Sequence, residues 1–235
     1  AFVQPIVSLC VWVSVSADRA INGFAIADYV LYFTGVMFVT RMTAAWDVWG
    51  VDNEIRQGTY SAKLLRPFHP IHWAMAGNLT YKLFSAALMV PAWIVLAVFF
   101  PAMRLPAEPA ELMLALAALA VAFLIRFLIG YQIGLLAFWT TRAGAIYMLY
   151  ESLHLFLSGR IAPLAMFPEW VQTVAQWLPF YVTIGFPIEL AMDRIAGWPA
   201  IAQGFAVQFL WLALLLLLFR LEWALGLRRY GAVGG

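Results

Sequence analysis

Apolar positions in this chain neither alternate nor confine themselves to one helical stripe; they run together, and the polar residues gather between the runs. Alternation over segments of about 10 residues would mark an outer-membrane barrel, whereas continuous runs near 20 residues match helices crossing a hydrocarbon layer about 30 Å thick. The pattern predicts spans at 1–16, 27–46, 78–100, 111–139, from Gly144 to about Gly159, and 201–225. The first run is slightly short and has no charged flank, so it reads as a span lacking its start, with any cytoplasmic N-terminal helix also missing. The expected fold is an all-α integral membrane protein of six transmembrane helices, one domain over 1–235, with no repeat and no linker.

Two segments depart from the pattern. Between spans two and three lies a polar island, Glu54-Ile-Arg-Gln-Gly-Thr-Tyr-Ser-Ala-Lys-Leu-Leu-Arg-Pro-Phe-His-Pro70. Asp52 can cap a helix start, Glu54 suits its positive end and Pro67 stops it. That predicts one short amphipathic helix with an apolar stripe at Ile55, Ala62 and Leu65 beside a basic stripe at Arg56, Lys63 and Arg66. Such a helix lies along a membrane surface, where each basic residue gains about 1 kcal/mol from anionic lipid. Between spans five and six, 163–192 is apolar but interrupted by Pro168, Pro179, Gly185 and Pro187. Proline removes backbone donors that lipid cannot replace, so two short interfacial or re-entrant helices are expected there.

Composition agrees with the pattern: of 235 residues, 65% are hydrophobic and 11% charged, against roughly 25% charged in soluble domains, and the mean hydropathy is +0.87. A net charge of +2 is too small to point to nucleic acid. Placement matters more: with the polar island inside, inner loops carry Arg56, Lys63, Arg66, Arg142, Arg228 and Arg229, and longer outer loops carry Arg19, Arg104, Arg160 and Arg194. That bias predicts a cytoplasmic island and both termini cytoplasmic. Arg41 and Lys82 lie where long side chains can snorkel to the inner surface. The lone Cys10 reads as a packing residue.

Arg126, Glu151 and His154 fall near the middle of spans four and five, where an unpartnered charge costs at least about 2.5 kcal/mol. From the turn at Arg142, Arg126 lies about 24 Å up its helix and Glu151 about 14 Å, at 1.5 Å per residue. Arg126 is expected to pair with Glu151 across an interface tightened by Gly130-Tyr-Gln-Ile-Gly134, either ordering the bundle or lining a substrate path. Glu151-Ser-Leu-His154 has a metal-site spacing, but no second copy accompanies it, and His69 and His72 have no cysteine or third ligand nearby. No metal site is expected.

Taken together, Glu54-Ile-Arg-Gln-Gly58 and Leu64-Leu-Arg-Pro67 between spans two and three, with Phe156-Leu-Ser-Gly-Arg160, Pro163-Leu, Phe167-Pro168 and Leu178-Pro179-Phe180 after span five, resemble the type-2 ATP-binding-cassette (ABC) export permeases. The likeness is closest to the branch with paired six-span permeases and a separate ATPase, and it covers essentially the whole chain. The resemblance implies that the polar island is a coupling helix, with Glu54, Arg56, Gly58, Lys63, Leu65 and Arg66 contacting an ABC ATPase dimer. It implies a second homologous permease or a second copy as partner, and an inner (cytoplasmic) membrane location. It also implies export of an amphiphilic or hydrophobic compound (a xenobiotic, natural product or lipid-like molecule) past an external gate at Pro168, Pro179 and Pro187. The chain has no Gly-x-x-x-x-Gly-Lys-Ser/Thr loop, so ATP and Mg are expected on the partner and no cofactor here. Two other classes compete: an intramembrane lipid-modifying enzyme using Glu151 and His154 as acid and base, and a non-transporting scaffold.

Overall fold

The computed structural model describes residues 3–16 and 20–230, leaving Asp18 and Arg19 of the first polar loop outside the described residues. The helices are α1 (Val3–Val15), α2 (Ile26–Thr43), α3 (Asp47–Arg56), α4 (Ser61–Leu64), α5 (Pro70–Phe99), α6 (Pro109–Leu135), α7 (Ala143–Leu157), α8 (Glu169–Trp177), α9 (Gly185–Ala191) and α10 (Gly197–Arg229). Short 3-10 turns sit at Pro101–Met103, Leu136–Phe138, Leu164–Met166 and Tyr181–Thr183.

Three of these helices, α5, α6 with its 3-10 extension, and α10, are long and apolar enough to cross a membrane. Of the six expected spans, the other three fall short of that standard. At 1.5 Å per residue, α1 and α7 are only about 20–22 Å long, and α2 contains Asp28 and Arg41.

α6 is the central column, packed by α10, α3, α9, α2 and α7. Its Ala118, Ala122, Ile125, Phe127 and Leu135 are fully buried. Two glutamines lock it to α10: Gln132 Nε2 donates to the Leu215 carbonyl at 3.0 Å, and Gln208 Nε2 donates to the carbonyls of Ala118 at 2.9 Å and Val182 at 2.8 Å. Lipid offers no competing partner for such bonds, which makes them useful interhelical glue.

α5 begins at Pro70, eight residues before the sequence pattern places it. The His69 ring accepts a hydrogen bond from the Ile71 amide at 3.2 Å, and Pro70 at the first helical position forfeits a donor that has no partner there anyway. The proline therefore opens the helix.

The polar island also differs from its expected form. Helix α3 starts at Asp47, not at an Asp52 cap; Asp52 lies inside it, buried, and pairs with Arg56 at 2.8 Å. Gly58, with φ +74°, adopts a left-handed conformation that interrupts the helix, and α4 follows as a separate turn. A single stripe is therefore impossible: Ile55 is buried but Ala62 and Leu65 face outward.

Gly130 and Gly134 do not serve the α6–α7 interface. A Cβ on Gly134 would lie 3.0 Å from Val51 Cβ and 3.2 Å from Val48 Cα, and one on Gly130 would lie 3.7 Å from the Ala45 carbonyl. The small residues admit α3 and the α2–α3 linker against α6 instead.

Candidate functional site

The island end is built around one tyrosine. Tyr60, fully buried, meets the Tyr131 hydroxyl of α6 at 2.8 Å. Burial pushes its phenol pKa up, so it stays neutral and serves as a hydrogen-bonding anchor. From the end of α10, Tyr230 donates to the Gly58 carbonyl at 2.8 Å and accepts from the Ser61 amide at 3.1 Å. The His69 and Trp223 rings pack alongside, tilted at 46° with centroids 4.1 Å apart. Tyr230→Phe is expected to remove both bonds to the turn at a cost of about 1–3 kcal/mol. Faster amide exchange confined to 58–64, with α10 otherwise unchanged, is the expected readout.

The charges of this segment are largely paired within it. Lys63 Nζ lies 2.8 Å and 2.7 Å from the two Glu54 carboxylate oxygens, Arg56 holds Asp52, and Arg66 lies over the Trp73 ring at 5.1 Å, a cation–π geometry. Burial pushes the Asp47 carboxyl above its ordinary value, opposed by its bond to Asn78 and by the nearby Lys82 and Lys63. The tip of the segment is apolar on either side of Arg66, with Leu65 88% exposed and Phe68 64% exposed, while Asn53, Arg56, Gln57 and Thr59 are exposed nearer α3. Lys82 does not snorkel; it is buried, donates to the Ala44 carbonyl at 2.8 Å and covers the Phe123 ring at 4.3 Å.

In the interior, Arg126 of α6 reaches Glu151 of α7, Nη2 to Oε1 at 2.7 Å. Its Nη1 donates to Thr43 Oγ1 of α2 at 3.1 Å, so one guanidinium ties three helices. Arg160 belongs to the same cluster: its side chain turns back along α7 and Nη1 lies 3.2 Å from Glu151 Oε2. The sequence reading put Arg160 among outer-loop charges, because a contact made across nine residues by a side chain folding back from a turn has no periodic signature. Arg126→Met is expected to lower stability by about 1–3 kcal/mol. That is less than the 3–5 kcal/mol typical of a broken buried pair, because Glu151 keeps Arg160; thermal denaturation in detergent measures it.

His154 is not part of this cluster in hydrogen-bonding terms. It is fully buried, its Nε2 lies 3.0 Å from Thr183 Oγ1, and Tyr150 and Phe180 pack on its ring. It pins α7 to the broken segment, where a general acid–base partner of Glu151 would have to face that carboxylate.

The broken segment folds as α8, a 3-10 turn and α9. Pro168 is the exposed cap position of α8, Pro179 is buried between the two elements, and Pro187 lies in α9. Pro187 and Ile188 join Gly35, Phe38, Trp93 and Leu116 around an apolar cavity of about 290 Å³ in the half of the bundle away from the island. Tyr32 donates to the Gly159 carbonyl at 2.9 Å and Trp12 to the Ile161 carbonyl at 2.9 Å, fastening α1 and α2 to the end of α7. Among the described residues there is no group of three or more potential metal ligands.

A bundle with three helices long and apolar enough to cross a membrane and a small polar appendage at one end defines a multi-pass membrane protein. The chain belongs to the ABC-2 transporter family: the model described as "ABC-2 family transporter protein" matches residues 2–234. It is therefore the non-catalytic membrane permease of an ABC transporter, and permeases of this family work with ABC ATPases. No curated protein and no solved structure matches the chain.

Proposed function

We propose that the chain is the permease of an ATP-driven exporter, embedded in the cytoplasmic membrane by six spans with α1, α2 and α7 completing the set, and with both termini and the island segment on the cytoplasmic side. The observation that carries this reading is the exposed apolar tip at Leu65 and Phe68, held on a segment fixed to the bundle by Tyr60, Tyr131 and Tyr230. An exposed, rigidly mounted apolar knob at the polar end of a membrane protein is what a soluble partner can grip. In this reading Glu54, Arg56, Gly58, Lys63, Leu65 and Arg66 form the ATPase-coupling surface. Glu54 and Lys63 shape it through their mutual pair; Leu65 and Arg66 meet the partner. ATP and Mg bind to that partner.

The broken segment with Pro168, Pro179 and Pro187 is the external gate, and the apolar cavity beside Pro187 forms part of the cargo route. A second permease, related or identical, completes the translocation unit. The cargo class is amphiphilic or hydrophobic, as apolar walls favour. The test is co-purification of the tagged chain from its native membrane: an ABC ATPase is expected in stoichiometric amount. Recovery of the chain alone, from mild detergent and at full yield, would sink the reading.

A further inference from the structure

The intramembrane cluster is not electrically balanced. Two guanidiniums, Arg126 and Arg160, share one carboxylate, Glu151, and among the described residues no other carboxylate pairs with either. Two positive charges and one negative leave a net charge of +1. The other hydrogen-bonding neighbours are neutral, the Thr43 hydroxyl and Tyr147, which donates to the Ala45 carbonyl at 3.1 Å, and Lys82 nearby is a further cation. Two guanidinium donors of the cluster, Arg126 Nε and Arg160 Nε, are buried with no hydrogen-bond partner. An uncompensated charge among apolar helices costs several kcal/mol, and unmatched buried donors add to that cost. An anion relieves both.

Access is graded across the cluster. The Arg126 side chain is 3% exposed, Arg160 14% and Glu151 28%, so Arg160 and Glu151 form its open edge. Arg160 also borders a groove of about 640 Å³ whose walls include Val3, Val7, Val11, Trp12 and Leu155. A charged edge beside an apolar groove has the chemistry of a headgroup and a tail.

We propose that the Arg126–Arg160 pair binds the anionic headgroup, carboxylate or phosphate, of an amphiphile whose apolar part lies in the groove between α1 and the end of α7. Glu151 acts as an internal competitor: it occupies the guanidiniums when the site is empty and yields one of them when an anion enters. That exchange keeps the arginines from being left bare at any stage. The identification of the amphiphile as cargo rests on the transporter reading; the anion site itself does not.

The test uses the permease with its co-purified ATPase in nanodiscs of zwitterionic phosphatidylcholine. The probes are three fluorescent amphiphiles of identical tail ending in a carboxylate, its methyl ester or an amine. The carboxylate is expected to bind about tenfold more tightly than the ester, as a charge-assisted contact replaces a neutral one. Glu151→Gln is expected to tighten carboxylate binding severalfold, since it removes the competitor. Arg160→Gln is expected to bring the carboxylate down to the level of the ester while leaving the Arg126–Glu151 pair in place. A purely structural cluster predicts the opposite sign for Glu151→Gln.

Equal affinity for the three heads, or tightest binding of the amine, overturns the proposal. Should Glu151→Gln fail to fold, Arg160→Gln carries the test alone, and retained head discrimination in that variant overturns it equally. Adding phosphatidylglycerol to the nanodisc separates the sources: displacement of the probe identifies a resident bilayer lipid, and persistence identifies a transported amphiphile. Loss of head discrimination with the ATPase retained removes the anion site and spares the transporter reading. Head discrimination in a chain that never retains an ATPase does the reverse.

Discussion

Leu65→Asp is expected to yield a permease that folds normally and purifies without its ATPase. Leu65 projects from the end of α4 with 88% of its surface in solvent, so its replacement costs the isolated bundle little; surface substitutions usually stay within about 0.5 kcal/mol. The proposed docking buries the same side chain. Burying a leucine contributes about 1.5–3 kcal/mol, and an aspartate in its place adds an unpaired charge at the interface. A loss of about 2–3 kcal/mol corresponds to roughly 30- to 150-fold weaker association. The measurement is the amount of ATPase retained on the tagged permease through a wash series, with the thermal midpoint of the permease as the folding control. Phe68→Asp, 64% exposed on the same tip, should behave alike. Arg56→Ala should do less, because Arg56 already satisfies the buried Asp52. Retention of the ATPase by both aspartate variants would locate the docking surface elsewhere.

How much of this was legible beforehand depends on the range of the interactions involved. The apolar runs located the long helices, because hydrophobic length is a local property; α6 and α10 begin within a few residues of where the pattern starts them. Helix ends were less legible. Pro70 looked like a loop residue, yet with His69 before it, it opens α5 and lengthens that helix to 30 residues. The island was recognisable as special from its charges, but its two-part form was not. Val48 and Val51 lie upstream of the motif and, with Ile55 inside it, give α3 its buried face, while Tyr60 sinks into the bundle because Tyr131 waits on another helix.

The intramembrane cluster divides in the same way. That Arg126 and Glu151 require partners follows from the cost of isolated charge in lipid; that Arg160 is one of them follows only from the turn after α7. There Gly159 takes φ +90° and sends the chain back on itself. The glycines of α6 were read as a helix–helix contact motif, and they are one, but the helix they admit is α3. This changes the mechanical picture, since the island segment then rests directly on the central column and not only on the ends of its neighbouring spans.

Gly134→Val should accordingly break transmission while sparing attachment. A Cβ at position 134 falls 3.0 Å from Val51 Cβ and 3.2 Å from Val48 Cα. Val51 Cβ and Val48 Cα are both fixed by the backbone of α3 and cannot rotate away, so α3 must move as a body. Overpacking of this kind costs about 1–3 kcal/mol. It also pries the island segment off α6, so force applied at Leu65 displaces α3 without moving the column. The ATPase should remain bound and hydrolyse ATP, because the tip is untouched. The ATP-dependent change in amide exchange at α9, expected in the parent complex, should largely vanish. Gly50→Ala, on α3 itself, is the control: a Cβ there meets nothing within 4 Å, so packing on α6, ATP-dependent exchange at α9 and hydrolysis should stay at parent values. A Gly134→Val complex in which ATP still alters exchange at α9 to the parent extent would mean that the stroke reaches the far end through α10 and its Tyr230 contact to the Gly58 turn, and not through the seat of α3 on α6.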